Sequence, residues 1–331
     1  MKYFFTCLIL FSLSVAYGQS QRIQYNVIVN NDDDKLQFDY EVVDLDDKSK
    51  STTPRNIDEF LVAFFNDISI LPADKNQPLF YIHGMWGGKK FAFNRTYKMM
   101  EALYLENEAT DIARIISIKW PGNNMEYKVN KATLYEIAPE VTEWFSNFLL
   151  KFHMYKYVSK SYNISLDILA HSLGTELTKE ILCGINYDNL EYPLIDNLIL
   201  ASPDLVTDVF ETTPCFTKNL CMTNETHIYF SERDLTLGVS NNLNKIDRLG
   251  RAGPSEKSSI PTNVCFIDVS DVKDETNFSD LMTGHSSFRA SPIVSQDILE
   301  VLTEQKQHDR VPRSLMNSEK RIYKLVVDED Q

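Results

Sequence analysis

From Leu79 onward, short apolar runs alternate with amphipathic stretches in a regular rhythm. "PLFYIHG", "ARIISIKWPG", "ISLDILA", "IDNLILASPD", "THIYFSERD" and "TNVCFIDVSD" are runs of strand length, rich in Ile, Val, Leu and Phe. Between them lie "KKFAFNRTYKMMEALYLE", "KATLYEIAPEVTEWFSNFLLKFH" and "LGTELTKEIL", and after the last run comes "SQDILEVLTEQ". These have helical spacing. Strands that are apolar throughout, joined by helical crossovers, predict an α/β protein with a mostly parallel sheet covered by helices on both faces. Upstream, "RIQYNVIVNNDDDKLQFDYEVVDLDD" holds two β-like runs around an Asn/Asp turn and predicts an N-terminal β-hairpin, and "NIDEFLVAFFNDIS" predicts a helix. A last β-like stretch, "RIYKLVV", lies in a charged C-terminal segment.

The first residues, "MKYFFTCLILFSLSVAYGQSQ", have one Lys, a short apolar run and small residues at Ala16 and Gly18. The run is too short to span a bilayer, so it predicts a secretory signal cleaved after Gly18 and an exported mature chain with no stable membrane span. The expected organisation is a signal peptide over 1–18, an α/β domain over 19–306 and a charged tail over 307–331. Within the domain, 19–76 form the hairpin and helix and 77–306 the core, with a small cap drawn from 205–225 and 235–262. Export implies an oxidising compartment. The four cysteines outside the signal allow three full connectivities; Cys215 and Cys221 flank a short loop that a local bridge would close, and Cys183 and Cys265 read as buried thiols. Asn94, Asn163, Asn224 and Asn277 head N-x-S/T sequons.

Composition narrows the partners. The chain of 331 residues carries 33 Lys+Arg against 47 Asp+Glu, a net charge of −14. That balance repels nucleic acid. There is no H-E-x-x-H, no Cys/His pair at zinc spacing and no Gly-rich phosphate loop, so no metal or other cofactor is expected.

"LDILAHSLGTEL" carries the candidate chemistry. Ser172 stands between an apolar strand and a helix, with small residues Ala170 and Gly174 two positions to either side. This is the setting of a nucleophile elbow, G-x-S-x-G, with Ala at its first position. The same pattern fits an ordinary serine that caps the following helix. A nucleophilic serine needs a base and a group to orient that base. Of the six histidines, His285 in "TGHSSF" follows the last core strand and reaches the same sheet edge as Ser172; His171 reads as a structural bystander, not the base. Asp234, after the preceding strand, is the first candidate acid, and Asp204 in "ASPDL" the alternative. Both keep the chain order Ser, Asp, His. The backbone N–H groups of Met85 and Leu173 are candidates for an oxyanion hole, and Trp86 for lining a pocket or packing under the next helix.

The blocks "FYIHGMW", "LDILAHSLGTEL", "LILASPDLVTDVF", "IYFSERDLTLGVSNNL", "RLG" and "GHSSF" resemble, in order and spacing, the α/β-hydrolase fold. They are most similar to a group of bacterial α/β-hydrolases of esterase and lipase ancestry, over about Gln77 to Glu304. The resemblance implies Ser172 as nucleophile, His285 as base, Asp234 as acid and an oxyanion hole at Met85 and Leu173. The expected activity is hydrolysis of a small carboxylic ester or other acyl substrate. An amidase or peptidase using the same residues, and a non-catalytic binding module on the same fold, are the alternatives.

Overall fold

The structure is a computed structural model that describes residues 22–32, 35–72, 75–106, 110–159, 164–185, 193–255, 259–274, 276, 278–303, 312–317 and 321–326. The signal segment 1–18 and the sequons at Asn163 and Asn277 lie outside these. In chain order the elements are β1 (Ile23–Asp32), β2 (Lys35–Asp44), α1 (Ile57–Ser69), β3 (Gln77–Ile82), α2 (Lys90–Met100), β4 (Ile112–Lys119), α3 (Tyr127–Ser159), β5 (Asp167–His171), α4 (Leu173–Gly184) and β6 (Ile195–Ala201). There follow α5 (Val209–Thr212), α6 (Pro214–Asn219), β7 (Thr223–Phe230), α7 (Leu235–Asn244), α8 (Leu249–Ala252), β8 (Val264–Asp268), α9 (Phe278–Thr283), α10 (Ser287–Ala290), α11 (Pro292–Leu302), β9 (Arg313–Asn317) and β10 (Ile322–Leu325).

Ten strands among the described residues form one sheet in the order β2-β1-β4-β3-β5-β6-β7-β8-β10-β9. All neighbours from β1 to β10 pair in parallel; only the outermost strands, β2 and β9, run antiparallel. The expected α/β architecture is therefore present, and the N-terminal hairpin joins the sheet through β1 and β4. The stretch read as a charged tail also joins it, because β10 pairs with β8 and brings β9 with it.

Alternate residues of each buried strand feed two cores. Phe80, Ile82, Ile116, Ile168 and Leu200 point to the face covered by α1, α3 and α4, where Phe64, Trp144, Phe148 and Leu177 pack. Leu79, Tyr81, Ile115, Leu169 and Ile199 point to the face covered by α2 and α11, against Phe93, Tyr97, Phe288 and Ile298. Burial on both faces explains why these strands read as continuous apolar runs. It also fixes their register, since a slip of one residue would exchange the two cores.

Cys183, near the end of α4, is bonded to Cys215 at the start of α6, with Cα atoms 5.0 Å apart. The local Cys215–Cys221 bridge is not made. Cys215 lies in the first turn of α6 and Cys221 in the turn beyond its end, so the helix carries them apart along its axis. α6 instead lies on α4, which brings Cys183 within reach. Cys183 is thus not the buried thiol expected, whereas Cys265 is, and burial pushes its pKa up to about 11.

Candidate active site

Parallel strands place their C-terminal ends on one edge, and four of the loops there build the site. β3 leads into Met85 and Trp86, β5 into Ser172, β7 into Asp234, and the loop after β8 leads to His285.

Ser172 has φ 54° and ψ −127°, a strained conformation for a residue with a side chain. The turn can be this sharp because Gly174 presses on β3: a Cβ there would lie 2.5 Å from the His83 carbonyl oxygen and 2.6 Å from that of Ile82. Ala170 is fully buried at the other small position. The Ser172 side chain makes no capping hydrogen bond to α4. Its Oγ lies 2.9 Å from His285 Nε2. His285 Nδ1 lies 2.6 Å from Asp234 Oδ2. Asp234 accepts only, so Nδ1 carries the proton and donates it, which leaves Nε2 free to accept from the serine hydroxyl. The second Asp234 oxygen accepts the Leu237 N–H at 2.8 Å, so the carboxylate also caps α7. All three side chains are buried. Burial works against a charged His285 ring, but the charge and hydrogen bond of Asp234 outweigh it, and its pKa is raised. Gly284, with φ 60°, turns the chain into His285 against the Arg233 backbone, where a Cβ would be both strained and crowded.

Asp204 does not reach His285 by a hydrogen bond among the described residues. Its Oδ1 accepts from Ser240 at 2.7 Å and lies 3.2 Å from Arg248 Nε, an ion-pair contact rather than a directed hydrogen bond. Its pKa is raised by burial, against the opposing effect of Arg248. Both groups of the pair are almost wholly buried, and Asp204 forms part of the wall of the pocket over Ser172.

The backbone N–H groups of Met85 and Leu173 have no backbone hydrogen-bond partner among the described residues. Both residues border a pocket of about 360 Å³ that contains Ser172. Trp86 borders it too: its N–H bonds the Gly122 carbonyl at 2.7 Å, and its indole N–H bonds that of Asn124 at 2.6 Å. Among the described residues, no group of three or more His, Cys, Asp or Glu side chains could hold a metal ion.

Two histidines that the sequence left without a role support this geometry. His171 supports the base rather than acting as it. Its Nε2 lies 2.9 Å from the His285 carbonyl, and its ring packs 4.7 Å from both the His285 and Phe288 rings. Burial, then the His285 charge, holds its pKa well below the usual value, so it is a neutral donor. His83 is fully buried and stacks on Trp120 at 5.6 Å. The Trp120 backbone N–H donates to His83 Nε2 at 3.2 Å, which puts the ring proton on Nδ1, 2.7 Å from the Gly84 carbonyl oxygen. The N–H and C=O of one peptide point in opposite directions. Holding the Gly84 carbonyl therefore also fixes the direction of the Met85 N–H. Burial lowers the His83 pKa to about 4. The signal for His83 was its place directly before the Gly84–Met85 peptide; nothing local marked His171.

No helix among the described residues is long and apolar enough to cross a membrane. No curated protein matches the chain. The crystal structure of Aspergillus fumigatus lipase B is similar to it at 15% identity and a TM-score of 0.27, over 54% of this chain and 43% of the lipase chain. The family model for an alpha/beta hydrolase of unknown function, DUF900, matches residues 73–303. With that match spanning well over half of its residues, and with the mostly parallel sheet and its helices, the chain belongs to the DUF900 family of α/β hydrolases.

Proposed function

We propose that this hydrolase cleaves a carboxylic ester by acyl transfer through Ser172, His285 and Asp234. The observation that carries the reading is the hydrogen-bonded series Asp234–His285–Ser172, at 2.6 and 2.9 Å, ending on a serine that caps nothing. Ser172 Oγ attacks the ester carbonyl carbon while His285 Nε2 takes the hydroxyl proton. Asp234 orients the ring and stabilises its positive charge. The carbonyl oxygen becomes an oxyanion that accepts from the Met85 and Leu173 N–H groups. As the carbon–oxygen bond to the leaving alcohol breaks, His285 returns the proton to that alcohol. Water, deprotonated by His285, then attacks the acyl-serine carbonyl; as the bond to Ser172 Oγ breaks, His285 returns the proton to Oγ and the acid leaves. We prefer an ester to an amide because the alkoxide is the better leaving group and asks less of the acid catalyst. The raised pKa of His285 supports its part as a base. The disulfide Cys183–Cys215 is compatible with export of the chain, which is part of the same proposal.

A fluorophosphonate probe tests the claim directly. Wild type is expected to be labelled and Ser172→Ala not, with loss of p-nitrophenyl ester turnover in both Ser172→Ala and His285→Ala. Equal labelling of the two proteins would remove Ser172 as nucleophile. A wild type that neither labels nor turns over would favour a binding module.

A further inference from the structure

We propose that the pocket beside Ser172 holds the acyl part of the substrate, and that this part is an unbranched aliphatic chain of about eight to ten carbons. The proposal rests on the ester-hydrolase reading above and names its substrate class. The pocket of about 360 Å³ contains Ser172 and both candidate oxyanion donors, so a group entering it is attached to the reacting carbonyl. At ~30 Å³ for each non-hydrogen atom, the volume takes about twelve, and the carbonyl carbon and oxygen use two of them.

The walls are largely apolar. Met85 and Leu173 stand at the reacting end, and Leu235, Leu237, Val239 and Leu243 of α7 line the rest. Leu235, Val239 and Leu243 are four residues apart, so they form one stripe along α7. The stripe runs for about 12 Å away from the α7 N-terminus, where Asp234 meets His285. The three side chains are 54%, 59% and 45% exposed. Large apolar residues so exposed on the wall of a pocket are left for a ligand to cover. Of the polar groups on the same wall, Asp204 is already engaged by Ser240 and Arg248, and the Tyr127 hydroxyl is buried, so the wall offers a polar ligand few exposed partners. A charged or heavily hydroxylated acyl group would lose more water against these largely apolar walls than their few polar groups replace.

The test is a series of p-nitrophenyl esters from acetate to palmitate on the full chain. kcat/KM is expected to rise about two- to fourfold per methylene up to the octanoate–decanoate range and to fall at palmitate. Val239→Trp, at an exposed position, is expected to lower the decanoate-to-butyrate ratio by about tenfold or more as the ring fills the track. A flat series, an optimum at acetate, or a Val239→Trp ratio equal to wild type would overturn the proposal and leave the hydrolase reading standing. If wild type turns over no ester, calorimetry of monomeric decanoate and butyrate with Ser172→Ala decides instead. Decanoate is expected to bind at least about a hundredfold more tightly. Equal affinities would overturn the acyl pocket, whereas the missing turnover counts against the hydrolase reading alone.

Discussion

Replacing His83 tests whether a side chain that touches no substrate sets the rate. In His83→Phe the ring can still stack on Trp120, but the Trp120 N–H loses its partner and the Gly84 carbonyl keeps only the Gly87 N–H, at 3.1 Å. Leaving the buried Trp120 N–H unpaired costs about 1–3 kcal/mol. Held by the Gly87 N–H alone, the Gly84–Met85 peptide is freer to rotate, and rotation carries the Met85 N–H away from the oxyanion it is proposed to bind. Losing one oxyanion donor outright costs ~10²–10³ in kcat. Partial rotation therefore predicts a fall in kcat of about 10- to 100-fold. KM should stay within about threefold, because the donor acts on charge that exists only in the transition state. The control is His83→Asn, whose amide nitrogen sits near the position of Nδ1 and can donate to the same carbonyl. It should recover kcat to within about fivefold of wild type. The assay is steady-state hydrolysis of the best p-nitrophenyl ester, with thermal melts to check folding. If His83→Phe keeps the wild-type kcat, or if His83→Asn is as slow as His83→Phe, the Gly84 carbonyl does not govern the Met85 N–H.

Two further predictions concern the carboxylates and pH. Asp234→Asn should lower kcat by up to about 10⁴-fold by spoiling the His285 tautomer, whereas Asp204→Asn should act mainly on stability, by stranding buried Arg248; paired rate and melting measurements would refute the assignment if the rate loss fell on Asp204 instead. The His83 pKa is about 4 when folded against 6.5 for the ordinary group, so the unfolded chain takes up the proton first as pH falls. The resulting stability is complete above about pH 6.5 and is lost towards pH 4, a loss of about 3 kcal/mol. Urea titrations should show a shallower acid-side loss in His83→Asn, and an unchanged slope would dismiss the buried neutral His83.

How much of this was legible in the sequence varied with the range of the interaction. The apolar runs around Leu79, Ile115, Ile168, Ile199 and Ile228 record burial on both faces of a strand, a property each segment carries by itself. So do the small residues around Ser172. From these came the parallel α/β architecture, the strand–turn–helix at the serine and the set of residues at one sheet edge. The charged C-terminal stretch gave a weaker signal: "RIYKLVV" looked β-like, but only the free edge of β8 gave it a partner. Which cysteines pair was decided by the packing of α6 on α4, which residue spacing does not record. Local pattern left Ser172 equally suited to capping a helix, and left Asp204 and Asp234 as alternatives. Those questions turn on distances of a few ångströms between residues 51 and 113 positions apart in the chain. Hydrogen bonds have no sequence period, so only the tertiary structure could set His285 between Ser172 and Asp234, tie Asp204 to Arg248, and give the buried rings of His83 and His171 a carbonyl each to hold.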